Sequence, residues 1–407
     1  MRQVVYLLGV AAALLLVATP MSPAAATPHP RSDEWWFSAW GIEHDVWPVT
    51  TGAGVTVAVL DSGVNAALPE LSGAVLKGED STGGTGDGRT DLDEQDGGHG
   101  TGTAALIAGR GGGSTGFIGI APGAKILPIR DTSRLGDRNG VFESYARAIR
   151  FATDHGAKVI NMSQGVTSVT MDGHCDSGIQ DAIAYAVDHD VVVVAGAGNT
   201  GDTTNWPQLP ASCAGALAVG AIDPALRPWN GTQRQSYVAV SAPGDNIPTI
   251  GKKGELFPGG RGTSAAAALT SGAIALIRSR NPKMSARTVV QRLIATARPL
   301  GRSRWNDQTG YGAIQITSAM NPKRHPVPED APNPVYAALD KWRSTKSAVS
   351  ASGRPTTGAS TRLSRPSGSG WAWPVVFGGT GIVVLTIVVT LRRRLRKSVS
   401  ARASRSL

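Results

Sequence analysis

The stretch Val55-Thr56-Val57-Ala58-Val59-Leu60 constrains the fold most. An almost unbroken apolar, β-branched run without polar alternation is characteristic of a strand covered on both faces, as in a parallel sheet flanked by helices. The run continues directly into Asp61-Ser62-Gly63. A carboxylate is thereby delivered to the carboxyl end of a buried parallel strand, where α/β folds build their sites.

The rest of the chain repeats this arrangement. Residues 125–129, 158–162 and 191–195 read as strands, with an amphipathic helix over 141–155 and a helix over 178–189 between them. Residues 216–222 and 237–241 read as further strands, and Gly310-Tyr311-Gly312 begins a last short one. Residues 265–280 read as a buried helix stopped at Asn281-Pro282, and 285–297 as an amphipathic helix capped by Ser285. Strands alternating with helices predict an α/β, doubly wound, mostly parallel sheet with helices on both faces.

Two helices begin in the same manner. One follows Gly97-Gly98-His99-Gly100-Thr101-Gly102-Thr103, and the other follows Gly259-Gly260-Arg261-Gly262-Thr263-Ser264 and runs on through Ala265-Ala266-Ala267-Ala268. An imidazole at a glycine-flanked helix start is closely packed yet reachable, as a general base must be. A serine hydroxyl in the equivalent place is a candidate nucleophile, with an ordinary helix cap as the competing reading. The strand over 191–195 runs into Ala195-Gly196-Ala197-Gly198-Asn199, which aims a side-chain amide toward the same sheet edge. Such an amide can donate to an oxyanion, and a plain turn is the alternative.

The ends of the chain differ in kind from the body. Residues 1–26 carry an early arginine, an apolar stretch and Ala24-Ala25-Ala26, the pattern of a cleaved secretory signal. Residues 371–391 hold an uncharged run behind Trp371 and Trp373, followed by Arg392-Arg393-Arg394-Leu395-Arg396-Lys397. That pattern predicts one C-terminal transmembrane helix with a cytoplasmic basic tail over 392–407. Residues 27–50 form a tryptophan-rich N-terminal extension expected to pack on the body, and 51–320 the main domain. Residues 321–370 turn to Pro, Ser, Thr, Gly and basic residues and predict a flexible linker. These signals place the main domain outside the cytoplasm, tethered to the cell membrane by its C-terminus.

The formal charge of +10 resides mainly in the tail and the linker, which leaves the globular part mildly acidic. No basic patch suited to nucleic acid is visible. The acidic loop over 78–98 offers the hard oxygen ligands that calcium takes, but its spacing matches no defined binding loop. The expectation is a solvated loop, with calcium allowed but no metal or other cofactor required. Cys175 and Cys213 are the two cysteines, and in an oxidising compartment they are expected to form a disulfide.

The ordered motifs around Asp61, His99, Asn199 and Ser264 resemble the four signature stretches of the subtilisin-like serine proteases, the subtilases of peptidase family S8. The likeness runs over about residues 50–320 and includes Asn161-Met162-Ser163 and Pro243-Gly244. It implies a subtilisin-like fold and a peptidase in which Ser264 is nucleophile, His99 general base and Asp61 its orienting acid. Asn199 and the Ser264 amide would receive the oxyanion.

By the same resemblance, Ser163, Gln164 and Gly165 would bind an extended polypeptide substrate, and Ala195, Gly196, Ala197, Gly198 and Asn205 would line the pocket before the cut. Trp206-Pro207 would be the cis peptide of the family. The four alanines after Ser264 depart from the larger apolar residue, alanine and proline usual there, and predict a less filled packing and lower activity.

The export signal, tryptophan-rich lead-in, cysteine pair, linker and C-terminal helix together resemble the mycosins, the membrane-anchored proteases of type VII secretion systems. Residues 27–50 are too short for a folded inhibitory pro-domain. The resemblance implies a type VII secretion membrane complex as partner. A structural, protease-like subunit and a general degradative subtilase are the alternatives.

Overall fold

The computed structural model describes residues 29–352 apart from 96, 132–137 and 168–173. The secretory signal expected over 1–26 and the transmembrane helix and basic tail expected over 371–407 lie outside the described residues. Among the described residues, no helix is long and apolar enough to cross a membrane.

The extension opens the fold with α1 (Trp36–Ala39) and a π-helix over Ile42–Val46. Trp36, Phe37, Trp40, Ile42 and Val46 are buried in the main core, so large apolar side chains that could not form a core alone clamp the extension to the body. Trp47 Nε1 donates to the Ile120 carbonyl at 2.9 Å, which satisfies the polar end of its ring.

The sheet strands are β1 (Thr56–Asp61), β2 (Glu79–Asp80), β3 (Lys125–Arg130), β4 (Val159–Met162), β6 (Val192–Gly196), β8 (Ala216–Ile222) and β9 (Val238–Pro243). Between them lie β5 (Val166–Thr167) and β7 (Gln208–Leu209), which pair antiparallel as a separate small ribbon. The seven strands run in the order β2-β3-β1-β4-β6-β8-β9, and every pairing is parallel. The chain leaves β1 toward β3 on one side and later adds β4, β6, β8 and β9 on the other. The order therefore reverses between β1 and β4, and the crevice at their carboxyl ends is the natural place for a site.

Helices α2 (His99–Ala108) and α5 (Thr263–Arg280) pack together, as do α3 (Arg138–Asp154) and α4 (Ser177–Asp188), the two pairs covering the sheet. This is the expected doubly wound architecture. Helix α5 is buried almost throughout, and its small residues permit close approach: Ala266, Ala267 and Ala268 have no exposed surface. Helix α6 (Ala286–Ala295) is capped by Ser285, whose side chain accepts from the Thr288 amide, and α7 (Ile316–Met320) follows it.

Four elements depart from expectation. The glycine-rich approach to Ser264 is a strand, β11 (Leu256–Arg261), paired antiparallel with β10 (Asp245–Ile250). Its Phe-Pro-Gly-Gly run hides the pairing because it carries no alternation of apolar and polar residues.

Residues 310–312 form no strand. They lie along β9 through single bonds, such as Tyr311 N to the Ala239 carbonyl at 2.8 Å.

The linker expected over 321–370 begins with structure instead. Helix α8 (Pro334–Ser352) buries Val335, Tyr336 and Leu339, and Arg287 pairs with its Asp340 at 2.7 Å. Three apolar residues at helical spacing were masked by the polar composition around them.

Among the described residues the cis peptide is Leu209–Pro210, whereas the expectation was Trp206-Pro207.

Candidate active site

Asp61 ends β1 and is fully buried. Both of its carboxylate oxygens lie 2.9 Å from His99 Nδ1. A carboxylate only accepts, so Nδ1 carries a proton, and in the neutral imidazole Nε2 is then the nitrogen with the lone pair.

His99 is the first residue of α2, and the acidic loop holds that helix start in place. Asp93 Oδ2 accepts from the Gly98 and His99 amides at 3.2 and 3.0 Å, and Asp91 Oδ2 accepts from the Thr101 amide and hydroxyl at 2.9 and 2.6 Å. Two carboxylates thus satisfy amides that a helix N-terminus leaves unpaired, where its dipole favours negative charge. Asp91 and Asp93 are about 5% and 6% exposed, so this part of the loop is a buried brace and departs from the expected solvated loop. Among the described residues, no cluster of His, Cys, Asp and Glu is arranged to hold a metal ion.

Gly100 must be glycine. A Cβ there would stand 2.1 Å from the Gly63 carbonyl oxygen and 3.1 Å from Asp61 Cβ. Its absence brings the imidazole down onto the end of β1.

Ser264 sits in the first turn of α5. Its hydroxyl donates to the Ser163 carbonyl at 2.7 Å, and Ser163 Oγ donates back to the Ser264 carbonyl at 2.9 Å. Asn161 Nδ2 donates to Ser163 Oγ at 2.9 Å, while its Oδ1 accepts from Ser271 Oγ at 3.0 Å. A buried amide at the end of β4 thereby links the sheet to the serine helix.

Asn199 follows β6. Its Oδ1 accepts from the Thr263 amide at 2.9 Å and the Thr263 hydroxyl at 2.8 Å. The amide is therefore oriented with its nitrogen free to donate, beside the turn that carries Ser264.

The strand ends thus bring Asp61, His99, Ser163, Gln164, Asn199 and Ser264 to one edge of the sheet. Gly165 and Gly198, the latter at the end of the segment Ala195, Gly196, Ala197 and Gly198, both lie against Gln208. Gln208 Oε1 would be 3.4 Å from a Cβ at Gly165, and its Cγ 2.5 Å from one at Gly198, whose φ of 115° also favours glycine. The Asn205 side chain bonds the backbone of Arg234 through both Oδ1 and Nδ2, at 2.8 and 3.2 Å.

Two residues escaped the sequence reading. Gln208 of β7 lies against Gly165 and Gly198, a position set by the β5–β7 ribbon that no local pattern announces. Asp131 follows β3, is completely buried, donates its amide to the Asp61 carbonyl at 3.0 Å, and has no partner for either carboxyl oxygen among the described residues. Burial, reinforced by the Asp61 charge, pushes its pKa well above the usual carboxylate value.

Cys175 and Cys213 form a disulfide with Cα atoms 4.9 Å apart.

Fold and site together define a serine peptidase of the subtilisin type. Residues 52–312 match the subtilase family, and the chain belongs to it. Within that family it is mycosin-like. It is 33% identical over 334 residues to Mycosin-1 of Mycobacterium tuberculosis, covering 71% of this chain and 73% of that protein. It is also 33% identical over 319 residues to fervidolysin of Fervidobacterium pennivorans, covering 70% of this chain but 43% of the larger relative. Among solved structures, the serine protease MycP1, described as an essential component of the type VII (ESX-1) secretion system, superimposes with a TM-score of 0.63 at 34% identity. That match covers 74% of this chain and 90% of MycP1.

Proposed function

We propose that this chain is a serine endopeptidase in which Ser264 attacks a peptide carbonyl and His99 takes its proton. The observation that carries the reading is the contact of His99 Nδ1 with both oxygens of buried Asp61, which leaves Nε2 as the base at the edge where Ser264 opens α5. Asp61 holds the tautomer and stabilises the imidazolium formed after proton transfer. For attack, the Ser264 hydroxyl exchanges the Ser163 carbonyl for His99 by rotating about its side-chain bond.

The tetrahedral oxyanion is received by Asn199 Nδ2 and the Ser264 amide. As that intermediate collapses, the His99 cation gives its proton to the leaving nitrogen, the C–N bond breaks and the amine departs; water then hydrolyses the acyl-enzyme by the same route. The substrate is an extended polypeptide laid along Ser163, Gln164 and Gly165, with the side chain before the cut between that segment and 195–198.

The mycosin likeness and the sequence of both ends support a protease exported by residues 1–26, anchored by a helix over 371–391 and serving a type VII secretion complex in the cell membrane. Ser264→Ala in a strain lacking the native copy tests this role. Loss or altered processing of secreted proteins supports catalysis, and full rescue overturns it in favour of a structural subunit.

A further inference from the structure

Gln164 does more than continue the segment after β4. Its Nε2 donates to Asp61 Oδ1 at 2.7 Å, the same oxygen that accepts from the Ser62 amide at 2.8 Å and lies 2.9 Å from His99 Nδ1. A carboxylate leaves no other polarity for this contact, because the carbonyl end of the side chain would meet Asp61 in repulsion. Asp61 is fully buried and Gln164 half-buried, so the bond is made at the rim of a low-dielectric site, where charge-assisted hydrogen bonds are strong.

We infer that Gln164 is a positioning residue of the catalytic unit, which sets the basicity of His99 by sharing the negative charge of Asp61. The inference rests on the proposed roles of Asp61 and His99. Each donor on Asp61 draws on the charge that would otherwise stabilise the His99 cation. Gln164 therefore holds the imidazole less basic, so that more of it is the neutral base at a given pH.

The same residue is flanked by Ser163 and Gly165, where substrate is laid. The edge that holds substrate is thus joined directly to the acid that orients the base.

The other ionisable groups around the pair come from several elements. Asp131 beyond β3 and Tyr145 on α3 are both buried, and burial raises the pKa of each well above its usual value. Asp91 reaches Asp61 through Ser62 Oγ, which it accepts from at 2.8 Å and which lies 3.3 Å from Asp61 Oδ1. Asp93 accepts from the His99 amide, and Lys252 Nζ donates to the Asp93 carbonyl. Gln164 is distinguished among these by placing a neutral donor directly on Asp61 from the substrate side.

The test is a charge series at this one position, read by NMR titration of the His99 ring in otherwise intact protein. Gln164→Met keeps length and removes the donor, and the His99 pKa should rise by about half a unit to one unit. Gln164→Glu should raise it further, and Gln164→Lys should lower it below that of the unaltered protein. The acidic limb of kcat/KM against pH should move in the same order.

A residue that merely fills space would alter stability or KM without this reversal of sign. Unchanged His99 pKa values across the three folded variants overturn the inference. Because the NMR reading needs no turnover, it remains decisive even if the protein proves to cleave nothing. Separately, absence of peptidase activity in the unaltered protein would count against the proposed function alone.

Discussion

Ser264 and Ser163 hold each other through two reciprocal hydrogen bonds, hydroxyl to carbonyl in each direction, at 2.7 and 2.9 Å. The residue proposed as nucleophile is thus joined to the segment proposed to hold the substrate, and Asn161 ties both to the sheet. Ser163→Ala removes one bond and leaves the Asn161 amide without its partner. A neutral hydrogen bond contributes about 1 kcal/mol, so kcat/KM should fall roughly five- to tenfold with the fold retained. Steady-state kinetics on a peptide substrate checks this, and unchanged kinetics would show that the pair does not organise the serine.

Asn199→Ala removes the oriented amide but also the acceptor for Thr263. A subtilisin oxyanion asparagine is the worked case for this loss, about 10² to 10³ in kcat, and a similar fall is expected here with KM little changed. A loss below about tenfold would indicate that the oxyanion is received elsewhere.

Glu34 anchors the N-terminal extension by accepting from the Arg31 amide at 2.6 Å and the Ile118 amide at 3.3 Å. Burial raises its pKa from 4.5 to about 8. Between these values the folded chain keeps a proton that the unfolded chain has lost, so this contribution to stability is full at low pH and declines as pH rises through about 8. The decline should be on the order of 2 to 4 kcal/mol in unfolding free energy. Urea unfolding at several pH values should show a shallower slope for Glu34→Gln, and parallel slopes would contradict the assignment.

The Cys175–Cys213 disulfide joins the approach to α4 to the segment before β8, with a sequence separation of 38 residues. Constraining a loop of that length in the unfolded chain stabilises by about 2 to 4 kcal/mol. Replacing both cysteines with serine should lower the unfolding midpoint accordingly without abolishing activity.

Much of this was legible in the sequence because it rests on strong local signals. The apolar run into Asp61, the glycine-flanked His99 and the small residues behind Ser264 each reflect a close approach that few other residues permit, and the structure brings all three to one sheet edge. The parallel sheet was readable from unbroken apolar strands for the same reason.

What escaped depends on contacts between distant segments. The β10–β11 pairing is concealed by Pro258, Gly259 and Gly260. Helix α8 takes its stability from a surface that its own composition does not reveal. Gln164 was expected beside the substrate, but its bond to Asp61 joins residues 103 positions apart, which no local pattern reveals. Asp131 reads as an ordinary acid until β3 is placed against β1.

The central claim is that Ser264 is a nucleophile activated by His99. Labelling the folded protein with a fluorophosphonate probe, followed by peptide mapping, tests it most directly. The account predicts modification at Ser264, greatly slowed by His99→Ala and absent in Ser264→Ala. A folded protein that remains unlabelled, or is modified at another residue, would contradict it.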